Sequence, residues 1–236
     1  MEKKWITVTG GTKGIGFSIL EAFMQEGFNA ITCARNEVEL ENLKVSFGQR
    51  FPNQQLQTFV ADLSKKSDCQ HFGDFVKNKT ARLDVLVNNT GYFTPGQIHQ
   101  EEEGVLEKMM ETNLYSAYHT TRTLLPLMLS QKSGHVFNIC SIASIMPYAN
   151  GGSYSISKYA LLGMTKVLRE EMKPQGIRVT AVLPGATHTS SWEGVNLPEE
   201  RFMKTSDVAK AVLSCWKLSD CTVVEEIILR PQLGDI

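Results

Sequence analysis

The chain has 236 residues, 42% of them hydrophobic, which is enough to bury one substantial core and fits a single domain over residues 1–236. With 24 basic and 25 acidic side chains the formal net charge is −1, which excludes the broad cationic footprint of a nucleic-acid binder or a protein held on an anionic membrane. The five cysteines (Cys33, Cys69, Cys140, Cys215, Cys221) have neither CxxC nor metal-ligand spacing and read as buried thiols of a reducing, cytoplasmic compartment. No apolar run approaches the roughly 20 residues of a membrane span, and residues 1–4 lead into a strand pattern rather than a signal sequence.

Trp5–Thr9 is a β-branched run that predicts the first strand. It ends in Thr9-Gly10-Gly11-Thr12-Lys13-Gly14-Ile15-Gly16, and a helical pattern follows over 14–27. Glycines at such a turn let backbone amides approach a pyrophosphate, whose charge the helix N-terminus also favours. The second strand, Asn29–Ala34, closes with Cys33-Ala34-Arg35-Asn36, where a site selective for NAD presents a carboxylate to the ribose hydroxyls. Arg35 and Lys13 are instead placed to clamp the 2′-phosphate of NADP, the plainer alternative being two surface cations.

A helix over 37–49, a strand over 56–61, a helix over 65–79 and a strand over 83–88 follow, the last running into Asn88-Asn89-Thr90-Gly91. Glu101-Glu102-Glu103 reads as a solvated, dipole-favoured start to a long helix over 103–130. A strand over 135–141 ends at Ser141, and the helix Gly152–Met172 opens with Tyr154-Ser155-Ile156-Ser157-Lys158. A strand over 177–183 runs into Pro184-Gly185-Ala186-Thr187-His188-Thr189. The stretch 186–205, with Trp192 and Phe202, has the least pattern and reads as a substrate lid. A helix over 206–218 and a strand over 223–229 complete the chain. This alternation predicts an α/β fold: a doubly wound, Rossmann-like parallel sheet of about seven strands, with helices on both faces and ligands beyond the strands' carboxyl ends.

Tyr154 and Lys158 stand at i and i+4 and share a helix face. A phenol with a pKa near 10 is a poor proton shuttle at neutral pH. A cation about 4 to 5 Å away, at an effective dielectric near 20, is worth roughly 3 to 4 kcal/mol, and is expected to bring Tyr154 toward the working pH. Ser141, at a strand's carboxyl end, can hydrogen-bond the same reacting oxygen.

In these motifs the chain resembles the short-chain dehydrogenase/reductase family over nearly its whole length. The resemblance implies an NADP(H)-dependent oxidoreductase that moves a hydride to or from a carbonyl carbon, with no metal. Catalytic residues carried over are Asn113 in Glu111-Thr112-Asn113, holding a relay water; Ser141, orienting substrate; Tyr154, exchanging the proton; and Lys158, also binding the nicotinamide ribose. Cofactor contacts are implied for Gly10, Thr12, Lys13, Gly14, Ile15, Gly16 and Arg35, for Asp62 and Leu63 at the adenine, and for Asn89 and Gly91. Thr90 replaces the alanine of that last signature. Pro184, Gly185, Thr187 and Thr189 resemble the carboxamide-holding segment, and His188 reads as a lid or pocket-wall residue. Pocket walls are expected from Tyr92, Phe93, residues 146–149 and Trp192, and the substrate is expected to be a small ketone or related carbonyl.

The tail over 223–231 lacks the Gly-Gly ending of 3-oxoacyl-[acyl-carrier-protein] reductases, the alternative substrate class, although Lys132 and Arg169 offer a carrier protein some positive charge if they are more than solvated helix cations. A cofactor-binding sensor or scaffold without turnover is the alternative of another class, and intact Ser141, Tyr154, Lys158 and Asn113 argue against it. The family further implies a homodimer or homotetramer built on the helices over 103–130 and 152–172.

Overall fold

The computed structural model describes residues 3–189 and 197–234. Seven parallel strands form one sheet in the order β3-β2-β1-β4-β5-β6-β7. They are β1 (Trp5–Thr9), β2 (Asn29–Ala34), β3 (Leu56–Val60), β4 (Val85–Asn88), β5 (Gly134–Ile139), β6 (Ile177–Pro184) and β7 (Glu226–Leu229). The helices are α1 (Gly14–Gln25), α2 (Glu37–Arg50), α3 (Lys66–Lys79), α4 (Val105–Met110), α5 (Ser116–Gln131), α6 (Gly152–Met172) and α7 (Thr205–Trp216).

Successive strand residues point to opposite faces, and the buried side chains sort accordingly. Ile6, Val8, Val85 and Val87 join Phe23 of α1, Phe47 of α2 and Val212 of α7 in one core. Ile31, Leu86 and Val136 join Phe72 of α3, Leu124 of α5 and Leu168 of α6 in the other. The strand order reverses between β1 and β4, so the loops leaving their carboxyl ends diverge and open a crevice. A polar strap spans that point: the Asn89 side-chain amide donates to the Thr9 and Gly10 carbonyls at 3.0 and 2.9 Å, and the Thr9 hydroxyl accepts from the Asn89 and Thr90 amides.

Beside it lies a buried polar ladder. The Asn88 amide donates to Thr121 and to Asn138, its partner in the β4–β5 register, and Asn138 donates to Thr165 of α6. Polar groups in the core are tolerable when paired in this way, and the ladder fixes β4 and β5 relative to α5 and α6.

The structure departs from the sequence reading at several places: β4 begins at Val85 rather than Leu83, and β5 ends at Ile139, two residues before Ser141. The predicted helix over 103–130 is α4 and α5 joined by a π turn, Glu111–Tyr115, in which the Ser116 amide reaches the Glu111 carbonyl. Glu101 is not a solvated start to that helix: its carboxylate folds across the chain to accept from both the backbone amide and the hydroxyl of Ser153, at the N-terminus of α6. The last strand begins at Glu226 rather than Val223; ahead of it the Val224 carbonyl accepts from the Thr180 hydroxyl, and the Glu225 carbonyl accepts from both the Ala181 amide and the Arg169 guanidinium. Cys221 is exposed, unlike the other four cysteines, which are buried.

His135 on β5 is fully buried and stacks on Phe137. The Thr180 hydroxyl donates to the Val224 carbonyl, so it accepts from His135 Nε2–H at 2.7 Å, and Nδ1 is left without a hydrogen-bond partner among the described residues. Burial, aided by the charge of Arg178, holds the imidazole pKa well below 6.5. The unfolded chain therefore binds a proton that the folded chain refuses, and stability falls as pH drops below about 6.5. In urea unfolding between pH 7 and 5, His135→Leu is expected to flatten that fall by up to one proton, about 1.4 kcal/mol per pH unit. An unchanged slope would show that His135 is not the group responsible.

Candidate active site

A cleft of about 880 Å³ runs along the carboxyl edge of the sheet. All the sequence-predicted site residues line it except Gly16 and Asn113.

One end is the glycine turn. Gly10 and Gly14 have φ of 68° and 59°, conformations that L side chains rarely adopt, and they turn the chain from β1 into α1. Gly16 lies beneath the turn rather than facing the cleft: a Cβ there would collide with the Gly10 carbonyl and the Asn89 amide. Its lack of a side chain permits this close packing of α1 against the turn. Lys13 and Arg35, both exposed, line this end together with Asn36 and Glu39. Asp62 and Leu63 line it beyond β3, with Asp62 Oδ1 accepting from the Ser64 amide and hydroxyl.

The other end gathers Ser141, Tyr154 and Lys158. Ser141 caps the 3₁₀ turn Ile142–Ser144: its Oγ accepts from the Ala143 amide at 3.1 Å, while the Ser144 hydroxyl takes the Ser141 amide. With that lone pair engaged, the Ser141 hydroxyl proton is available to the cleft. Tyr154 is half-buried and packs edge-on against Phe93, ring centroids 4.9 Å apart. The Lys158 ammonium is buried, donates to the Ile139 carbonyl at 2.9 Å, and stands 5.8 Å from the Tyr154 ring centroid.

This geometry corrects the expected electrostatics. Burial raises the Tyr154 phenol above its usual value, with the neighbouring Ser141 hydroxyl pulling it down in part. Burial likewise lowers Lys158 from 10.5 to about 8. Crowding by protein disfavours both charged forms, and this outweighs the attraction expected of the i, i+4 pair. At neutral pH the pair is a phenol and an ammonium: Tyr154 holds a proton to give.

Asn113 sits in the π turn, fully buried, and is fully employed. Its Nδ2 donates to the Tyr92 carbonyl at 3.0 Å and to Ser157 Oγ at 2.8 Å, and its Oδ1 accepts from the Tyr92 amide at 2.7 Å. The side chain thus ties the loop after β4 to the helix that carries Tyr154. The wide turn aims it there, since a regular helix would rotate the following residues away.

The chain matches the family model described as short chain dehydrogenase over residues 4–200. It belongs to the short-chain dehydrogenases. Among similar relatives of the family is a sepiapterin reductase from Chlorobaculum tepidum, 31% identical and covering 99% of this chain and 98% of its own length. An uncharacterized oxidoreductase from Staphylococcus saprophyticus is 28% identical, with 98% of each chain covered. Among solved short-chain dehydrogenase-like structures, an alcohol dehydrogenase from the archaeon Thermococcus sibiricus complexed with 5-hydroxy-NADP superposes with a TM-score of 0.91 at 26% identity, covering 100% of this chain and 99% of that one. A metagenomic short-chain oxidoreductase in complex with NADP has a TM-score of 0.84 at 27% identity, with 98% of each chain covered.

Three predicted accessories fall elsewhere. His188 is exposed and not part of the cleft wall: its ring faces Phe202 and Glu199. Its backbone and that of Ala186 pair with Met203, drawing the two ends of the 186–205 stretch together, while Trp192 lies outside the described residues. Arg169 is no solvated cation, because it is buried with its guanidinium spent on the Val179 carbonyl and Glu225. Lys132 leads into β5 at the edge of the sheet opposite the cleft. Neither is placed to receive a carrier protein at the cleft.

Sequence reasoning missed Glu39, Ser157 and Glu101. Only Glu39 carried a signal: Asn36-x-x-Glu39 has capping-box spacing, which would have set the carboxylate at the mouth of the glycine turn.

Proposed function

We propose that the protein is an NADP(H)-dependent oxidoreductase that reduces a small ketone or related carbonyl. The observation that carries this reading is a single cleft with Lys13 and Arg35 at one end and Ser141, Tyr154 and Lys158 at the other. The residues fit a nicotinamide dinucleotide: left-handed glycines let the backbone approach a pyrophosphate, and two cations stand where a third phosphate is offered. The NADP-bound relatives support the same choice. When bound, the nicotinamide supplies or accepts the hydride.

The protein's own part is proton handling and orientation. Ser141 donates a hydrogen bond to the carbonyl oxygen and steadies the charge that develops there. Tyr154 gives its phenolic proton to that oxygen as the alcohol forms, and Lys158 stabilises the tyrosinate left behind. Asn113 holds α6 and the loop after β4 at fixed separation. Phe93, Met146 and Tyr148 give the reacting end partly aromatic walls suited to a compact substrate. Helix α6 leaves Ile156, Tyr159 and Val167 exposed, and Tyr115 and Tyr118 are exposed as well, apolar surface fit for a second copy of the chain in a homodimer or homotetramer.

Oxidation of NADPH and of NADH is to be followed at 340 nm against small diketones, aromatic ketones, aldehydes and acetoacetyl thioesters. NADPH-selective turnover of a small ketone is expected, and Arg35→Asp is expected to move kcat/KM toward NADH by at least about tenfold. Exclusive turnover of the thioester would replace the substrate assignment. Unchanged relative kcat/KM in Arg35→Asp would remove the phosphate clamp.

A further inference from the structure

The adenosine end of the cleft holds a carboxylate as well as two cations. Glu39 is the third residue of α2, and Asn36 caps that helix by accepting from the Val38 and Glu39 amides at 3.0 and 3.2 Å. The Glu39 carboxylate is half-buried and held from two sides: Thr12 of the glycine turn donates to Oε2 at 2.8 Å, and Asn36 Nδ2 donates to Oε1 at 3.4 Å. It makes no ion pair with a cation among the described residues, although Lys13 and Arg35 line the same end of the cleft. A carboxylate fixed by a glycine-turn hydroxyl and not neutralised by either neighbouring cation presents its full charge to whatever occupies the ribose position.

We infer that Glu39 is a specificity-determining residue that restrains the preference for a 2′-phosphorylated dinucleotide and leaves the site open to one with a free 2′-hydroxyl. The inference rests on the Lys13–Arg35 clamp. A 2′-phosphate seated by those cations meets the repulsion of Glu39, whereas a ribose hydroxyl meets a hydrogen-bond acceptor. A unit charge one side chain's width from a phosphate dianion in an open, screened cleft changes affinity roughly three- to tenfold. Glu39→Gln removes the charge and keeps an oxygen for Thr12, so the turn stays anchored.

The test is calorimetric titration of the wild-type protein, Glu39→Gln and Glu39→Ala with NADPH, NADH, adenosine 2′,5′-bisphosphate and AMP, none of which requires turnover. Both variants are expected to bind NADPH and the bisphosphate roughly three- to tenfold more tightly, with AMP and NADH unchanged or weakened. The gain should shrink as salt rises from about 0.05 to about 0.5 M, as a charge effect must. Equal changes for NADPH and NADH, or a gain that ignores salt, would overturn the inference. Arg35→Asp in the same titrations separates the two failures. If it loses NADPH affinity while the Glu39 variants gain none, the role of Glu39 falls alone; if it loses none, the clamp falls and the inference with it.

Discussion

Tyr154→Phe is expected to lower kcat by roughly 10³-fold while the Kd for NADPH stays within about twofold. The substitution deletes one oxygen and leaves the ring, so the edge-on contact with Phe93 and the position of Lys158 near the ring persist. What disappears is the proton donor. Because burial keeps the phenol protonated at neutral pH, no neighbouring hydroxyl can substitute: Ser141 is positioned to hydrogen-bond, but an aliphatic hydroxyl is far too weak an acid to complete the transfer. Stopped-flow reduction with each protein, together with fluorescence titration of NADPH, separates chemistry from binding. Turnover above about a tenth of wild type would take the proton from another group and remove Tyr154 from the mechanism.

Lys158→Met is expected to abolish useful turnover and, at pH 7, to make the protein slightly more stable. Burying an ammonium whose pKa has fallen from 10.5 to about 8 costs the folded state about 3 kcal/mol when it is charged. Removing it orphans the Ile139 carbonyl, a loss of about 1–3 kcal/mol, so the net gain at pH 7 is about 1 kcal/mol. The sign then turns with pH. Above pH 8 the folded protein releases this proton before the unfolded chain does, so the wild type gains stability up to about pH 10.5 and overtakes the variant. The same deprotonation removes the positive charge beside Tyr154, and wild-type reductive kcat/KM should decline as pH rises through about 8. Urea unfolding of both proteins at pH 7 and 9.5 tests this. A variant less stable by the same amount at both pH values would show that Lys158 carries no desolvation penalty, and that this site does not trade stability for activity.

Much of this architecture was legible because the sheet is parallel and covered on both faces. Trp5–Thr9 and Asn29–Ala34 are continuous apolar or β-branched runs bounded by turn residues, and the structure gives them the predicted limits. Glycine spacing marked the turn from β1 into α1, and the lack of an acid directly after Ala34 drew attention to Arg35, which lines the same cleft. Tertiary choices were illegible. Nothing local in Glu101-Glu102-Glu103 says that the first carboxylate caps a helix begun some fifty residues later. Arg169 has ordinary helix spacing, and only the approach of β6 and the chain before β7 buries it. The i, i+4 spacing of Tyr154 and Lys158 gave their proximity but not their burial, and burial decides the sign of both pKa shifts.

The π turn at Glu111–Tyr115 gives the protein an unusual relation between length and register. The helix carries one residue more than its axial span requires, and that surplus is stored at a single place. Deleting one residue from the turn would yield a smoother, locally more regular helix, with every i→i−4 bond restored. The same deletion would swing all positions on one side by about 100° relative to the other, turning Asn113 away from Tyr92 and Ser157. The turn is therefore a phase marker: substitutions can accumulate on either flank, but the count of residues within Glu111–Tyr115 is constrained by the aim of Asn113.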